Sequence, residues 1–219
     1  MVAISSQSYD DAMGQQTDSY RIRRARPDEV PRLREIEDQA GTIFSGLGLI
    51  DEALDVSFPL DELARLVGMG QVWVACLDGV PVGMVIASVR EGATYVEEMD
   101  VLPAHGRRGV GARLLACVCA WAQAQGQAAV ALSTFRDVPW NGPFYRKHGF
   151  RDLQPAEWTP GMWAIREQEA RHGLRVEARA FMRRELGGEG SSGSALSEDG
   201  SAPTALGSGC RTEVLKCTR

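Results

Sequence analysis

Val101-Leu-Pro-Ala-His-Gly-Arg-Arg-Gly-Val-Gly-Ala-Arg-Leu-Leu115 is the stretch on which the fold turns. It follows a strand-like run, Thr94–Leu102, that Pro103 stops. The chain then turns through Gly106, Gly109 and Gly111 and enters a helical period, with Leu114, Leu115, Val118 and Ala122 on one face. Glycines let a backbone approach a ligand closely, and the helix start behind them supplies unpaired N–H groups and partial positive charge. Together these suit a phosphate, and Arg107 and Arg108 add charge at the same place. The plain alternative is a loop whose glycines only turn the chain. A dinucleotide fingerprint fits poorly, because Gly106-x-x-Gly109-x-Gly111 is not GxGxxG and the unit follows a hairpin.

Outward from this unit, the pattern predicts a first strand from Tyr20 and a helix after Asp28 with Val30, Leu33, Ile36 and Ala40 at helical spacing. A weaker helix follows at 60–67. Strands 71–77 and 82–89 flank the hairpin signal Asp78-Gly79. Beyond the 109–125 helix, ended by Gly126, come a buried strand at 128–133, a short helix at 141–148, a strand at 150–153, a helix at 161–172 and a final strand at 179–186. The expected fold is α+β, a single domain with a central mixed, mostly antiparallel sheet flanked by helices.

The chain has 219 residues, enough for one domain with tails. Residues 1–19 read as a flexible segment and the Gly/Ser-rich 187–219 as a disordered tail, leaving 20–186 as the domain. The two tails hold seven of the 29 acids and three of the 24 bases, so the domain itself is nearly neutral. That balance gives no footprint of a nucleic-acid groove. No apolar run is long enough for a membrane span, and no leader pattern precedes the domain. The odd count of five cysteines, without a CxxC pair, fits a reducing cytoplasm, and the three scattered histidines predict no metal site. Cys117 and Cys119 read as packing residues on the amphipathic helix.

VLPAHGRRGVGARLL (101–115) and FYRKHGF (144–150) resemble the GCN5-related N-acetyltransferases (GNAT), with the likeness extending over roughly 20–186. Gly106 stands where that family has Gln or Arg. The resemblance implies acetyl-CoA as co-substrate, no metal, and a cofactor site formed by Met99, Asp100, Val101, Arg107, Arg108, Gly109, Val110, Gly111, Ala112 and Asn141. TYVEEMDVLP (94–103) looks like the corresponding strand of diamine acetyltransferases, which makes Glu97 the base and Glu98 a contact for the acceptor amine. Tyr145 takes the place of the family's phenol near the sulfur, and Trp140 that of a substrate-pocket wall. Read as residues alone, Glu97 and Glu98 fit an exposed carboxylate pair equally well, and Tyr145 a packing aromatic. Strict strand alternation puts Glu97 on one face with Met99 and Val101, and Glu98 on the other with Asp100. The acceptor pocket is expected within 37–60, 134–142 and 154–165, where Glu37, Asp38, Asp51, Glu52 and Asp55 suit a cation.

The implied activity is acetyl transfer from acetyl-CoA to a primary amine of a small molecule, of polyamine, amino-acid or amino-sugar type, by direct attack in a ternary complex. Two other readings stand beside it: a protein N-terminal or lysine acetyltransferase, and a non-catalytic acyl-CoA-binding module. The expected partners are the amine and a second copy of the chain in a homodimer, with neither nucleic acid nor membrane.

Overall fold

The computed structural model describes residues 19–51, 53 and 57–187. The expectations for 1–18 and for 188–219 lie outside the described residues, as do those for Glu52 and Asp55. Among the described residues, seven strands form one sheet: β1 (Arg21–Arg24), β2 (Val72–Leu77), β3 (Val80–Arg90), β4 (Ala93–Val101), β5 (Ala129–Phe135), β6 (Arg151–Asp152) and β7 (Arg179–Glu185). Their order is β1-β2-β3-β4-β5-β7-β6. Every pairing is antiparallel except β4 with β5. That parallel pair is joined by the crossover helix α3 (Val110–Ala124), as a parallel connection requires.

Helix α1 (Val30–Gly41) buries Val30, Leu33, Ile36, Glu37 and Ala40, the three-four spacing that turns one stripe to the sheet. Helix α2 (Leu60–Gly68) buries Leu63, Leu66 and Val67. Helix α3 buries Val110, Leu114, Leu115, Val118, Cys119 and Ala122. Helix α4 (Gly142–Lys147) is a short turn after β5, and α5 (Pro160–Arg171) lies in the connection from β6 to β7. Thr159 caps α5 by accepting from the Met162 amide. Met162 and Ile165 then pack on Tyr95, Ala131, Leu153 and Phe181, a small second core beside the main one. Among the described residues, no helix is long and apolar enough to cross a membrane.

The sheet opens at one point. β4 and β5 pair only over Thr94–Val96 with Val130–Leu132, yet β4 runs on to Val101 and β5 to Phe135. Beyond Val96 the two strands part, so the backbone of 97–101 lacks a ladder partner on the β5 side. An opening between two central strands is a place where an extended ligand can lie against strand backbone.

Candidate active site

Gly109 begins the site. It holds φ +78°, a left-handed conformation that glycine adopts without strain, and stands at the N-cap of α3. Its carbonyl accepts from the Arg113 amide at 3.1 Å. The amides of Val110, Gly111 and Ala112 therefore precede the first intrahelical bond and point out of the helix end. Arg107, also at positive φ, and Arg108 are exposed beside them. Loop and helix start thus meet the requirements of a pyrophosphate cradle: free N–H groups, a positive helix end and two guanidinium groups. The loop is tethered to the start of β1, where the Tyr20 hydroxyl meets His105 Nδ1 at 3.0 Å.

Met99, Asp100 and Val101 lie on the unpaired half of β4 that runs into this loop. Met99 approaches Gly111 on the α3 side, where Phe144 also packs. Asn141 precedes α4, and its Nδ2 donates to Thr134 Oγ1 at 2.8 Å, on the part of β5 that has left β4. Its Oδ1 is buried without a hydrogen-bond partner. Gly142 follows because a Cβ there would lie 2.1 Å from the Arg136 carbonyl oxygen. Tyr145 is 2% exposed and packs its ring edge-on to Phe144 and Phe150. Trp140 is exposed and contacts Phe44 edge-on, while Phe44 reaches Phe135 at the end of β5.

The expectation for Glu97 and Glu98 needs correcting. The β3–β4 register runs Ala87↔Val96 and then Ile86↔Glu98, so Glu97 is an extra residue, a β-bulge. Directly opposed residues share a face. Tyr95 opposes Ser88, and Glu97 accepts from the Ser88 hydroxyl and from Arg90 Nε at 2.7 Å. Glu97 is thus on the Tyr95 face rather than with Met99. Glu98 opposes Ile86 and Asp100 opposes Met84, two and four residues along β3 from Ser88 and so on that same face. The bulge puts both glutamates on one side of the sheet, because an inserted residue breaks the two-residue period.

All three carboxylates, Glu97, Glu98 and Asp100, are buried. Burial pushes the Glu97 carboxyl above its ordinary value, and the Arg90 charge and the Ser88 hydroxyl offset part of that rise. Its Oε2 is buried without a hydrogen-bond partner. Of the acids expected in an acceptor pocket, Glu37 is fully buried and accepts from the Phe58 amide at 2.8 Å, pinning the α1–α2 connection. Asp38 is held by Arg34 and Ser57. Ser88 and Arg90 carried no local sequence signal, since only the sheet register brings them to Glu97.

Residues 68–152 match the family model described as an acetyltransferase (GNAT) domain. The fold resembles that of the PaiA N-acetyltransferase from Thermoplasma acidophilum, solved with coenzyme A (15% identity, TM-score 0.60, covering 76% of this chain and 99% of that one). It resembles N-acetylglutamate synthase from Neisseria gonorrhoeae, solved with coenzyme A and N-acetyl-glutamate (16%, 0.59, 77% of this chain but 35% of that one). A third likeness is to the ribosomal-protein-S18-alanine N-acetyltransferase of Escherichia coli (15%, 0.58, 81% and 100%). These likenesses are in fold. The match over 68–152, which spans β2 to β6, identifies a GNAT acetyltransferase domain within this chain, and the fold around it resembles that of solved acetyltransferases.

Proposed function

We infer that this acetyltransferase moves an acetyl group from acetyl-CoA to the primary amine of a small molecule. The observation that carries the reading is the placement on one strand, β4, of a buried carboxylate at the point where the sheet opens and a phosphate-suited loop at its end. The loop amides of 109–112 with Arg107 and Arg108 hold the pyrophosphate, and the unpaired backbone of Met99–Val101 lines the pantetheine arm. Asn141 borders the same opening. The acetyl thioester then lies near the fork.

The acceptor arrives as an ammonium and must lose two protons. Glu97 takes the first, releasing a free amine that attacks the thioester carbon, so that an N–C bond forms as the C–S bond breaks. The second ends on sulfur by way of the Tyr145 phenol, which gives its proton to the departing thiolate and recovers one from the new amide nitrogen. Glu98, on the same face, holds the amine, and Trp140 walls the pocket. A small acceptor is favoured over a peptide by the bridge Ile50↔Leu174, with Asp51 bonded to Gly173 and Arg175 to Leu49. It ties the α1–α2 connection to the segment after α5, and an extended chain crossing there would have to displace it.

The test is release of coenzyme A, followed with a thiol reagent, across a panel of amines. Amine-dependent release is expected, and binding without release would identify a non-catalytic acyl-CoA module. Gly109→Glu sets a charged side chain against the phosphates at a backbone position unsuited to it. Calorimetry should find acetyl-CoA binding lost in the folded variant, and unchanged affinity would remove the loop from the cofactor site.

A further inference from the structure

The cleft between α2 and α5 is a cavity of about 760 Å³, within the range of small-molecule sites. Its walls are largely apolar: Leu66 and Met69 from the α2 side, Met162 and Ile165 from α5, with Tyr95 and Ala131 lining it from the sheet. Glu97 also lines it. As the first residue of β4 beyond the paired segment, Glu97 joins this cleft to the fork between β4 and β5. The Ile50↔Leu174 bridge ties the α1–α2 connection to the segment after α5.

The charges of the lining decide what can enter. Among the described residues, three arginines (Arg65, Arg90, Arg183) balance three glutamates (Glu62, Glu91, Glu97). Glu62 is held by Arg65 through both oxygens, at 2.7 and 2.6 Å. Glu91 accepts from the Thr159 hydroxyl and from the Gly161 amide. Glu97 gives one oxygen to Arg90 and Ser88 and keeps Oε2, buried and without a hydrogen-bond partner, for a further donor. A neutral lining with one carboxylate oxygen to offer suits one ammonium. A second cation on the same ligand would find Glu62 and Glu97 already neutralised by Arg65 and Arg90, and only Glu91, itself bonded to Thr159 and the Gly161 amide, to offset its lost hydration.

We propose that the α2–α5 cleft is the entrance and body site for the acceptor, and that the acceptor is a primary monoamine with an apolar body and a neutral far end, not a polyamine. This rests on the acetyltransferase reading and narrows it. The ammonium reaches Glu97 Oε2 at the inner end, the apolar body lies between Met69 and Met162, and a neutral far end lies near the mouth, where Arg65 and Arg183 are already held by Glu62 and Glu185. The diamine-type resemblance of 94–103 then reports the strand and not the substrate.

Two measurements test the proposal on the full chain. Phenylethylamine and hexylamine are compared with putrescine and spermidine as acceptors at saturating acetyl-CoA. The monoamines should have a kcat/KM at least about tenfold higher, and a preference for spermidine or putrescine overturns the substrate class. Ala164→Trp and, separately, Met69→Trp fill the cleft from exposed wall positions where a large side chain does not disturb the core. Each should raise KM for the preferred amine about tenfold or more, the scale of a pocket misfit, with KM for acetyl-CoA unchanged. An unchanged amine KM in both variants, with their melting curves intact, overturns the entrance while leaving acetyl transfer in place. If acetyl-CoA binds and no amine of any class is acetylated, the acetyltransferase reading itself falls and takes this proposal with it.

Discussion

Glu97 occupies a position where a carboxyl group is hard to ionise, since burial favours the neutral form and only Arg90 and Ser88 oppose it. A base must be ionised to act, so the rate should climb as pH rises through a pKa displaced above the ordinary glutamate value of about 4.3. Glu97→Gln should remove that acidic limb from the kcat/KM profile. If Glu98→Gln removes it instead, the base is the neighbouring residue on the shared face. Tyr145→Phe keeps the ring packing on Phe144 and Phe150 and deletes only the phenol. It should lower kcat by about 10²–10⁴-fold, the usual range for a general acid, with little change in KM for acetyl-CoA. A wild-type kcat in that variant would return Tyr145 to a packing role.

Helix α5 is the element that shapes one wall of the cleft, and it is fixed at both ends. Glu91 in the β3–β4 turn accepts from its first turn, and Glu169 near its other end pairs with Arg179 of β7 at 3.1 Å. Glu169 and Arg179 are both almost fully buried, and Arg179 also donates to Ser133 on β5. Removing one member of a buried pair strands the other charge. Glu169→Ala should therefore cost about 3–5 kcal/mol. Replacing both by Leu and Met should cost much less, since neither charge is then left alone. Urea titration of the two variants reads the difference, and equal losses would mean that packing at 169, not charge, holds the helix.

At the scale of the whole molecule, β7 is an interior strand between β5 and β6. It pairs with β5 along its full length, Ala129↔Glu185 to Phe135↔Arg179. Truncation after residue 178 takes away this strand, with Phe181 and Met182 from the cores, and should leave the chain unable to fold. Deletion of 190–219 is a different experiment. Its few scattered apolar residues could contribute about 1.5–3 kcal/mol each if buried, against about 1–2 kcal/mol for ordering each of thirty backbones. The melting temperature and turnover should stay where they are, and a sharp drop in melting would show that the tail docks on the domain.

The sequence alone determined the elements and the loop, because both are written in local chemistry. Three-four apolar spacing marked α1 and α3, Asp78-Gly79 marked the β2–β3 turn, and Pro103 with Gly109 and Gly111 marked where β4 gives way to a helix start. Only the tertiary structure decided what surrounds Glu97. A bulge is a property of two strands in register, so no reading of TYVEEMD by itself could put Glu97 and Glu98 on one face or bring Arg90 to the carboxylate. The cleft likewise exists because α5, far along the chain, folds back over the face that carries Tyr95 and Ala131. Periodicity reports what a residue's neighbours along the chain require. The partners that set its ionisation and its access come from elsewhere in the sequence and meet it only in the fold.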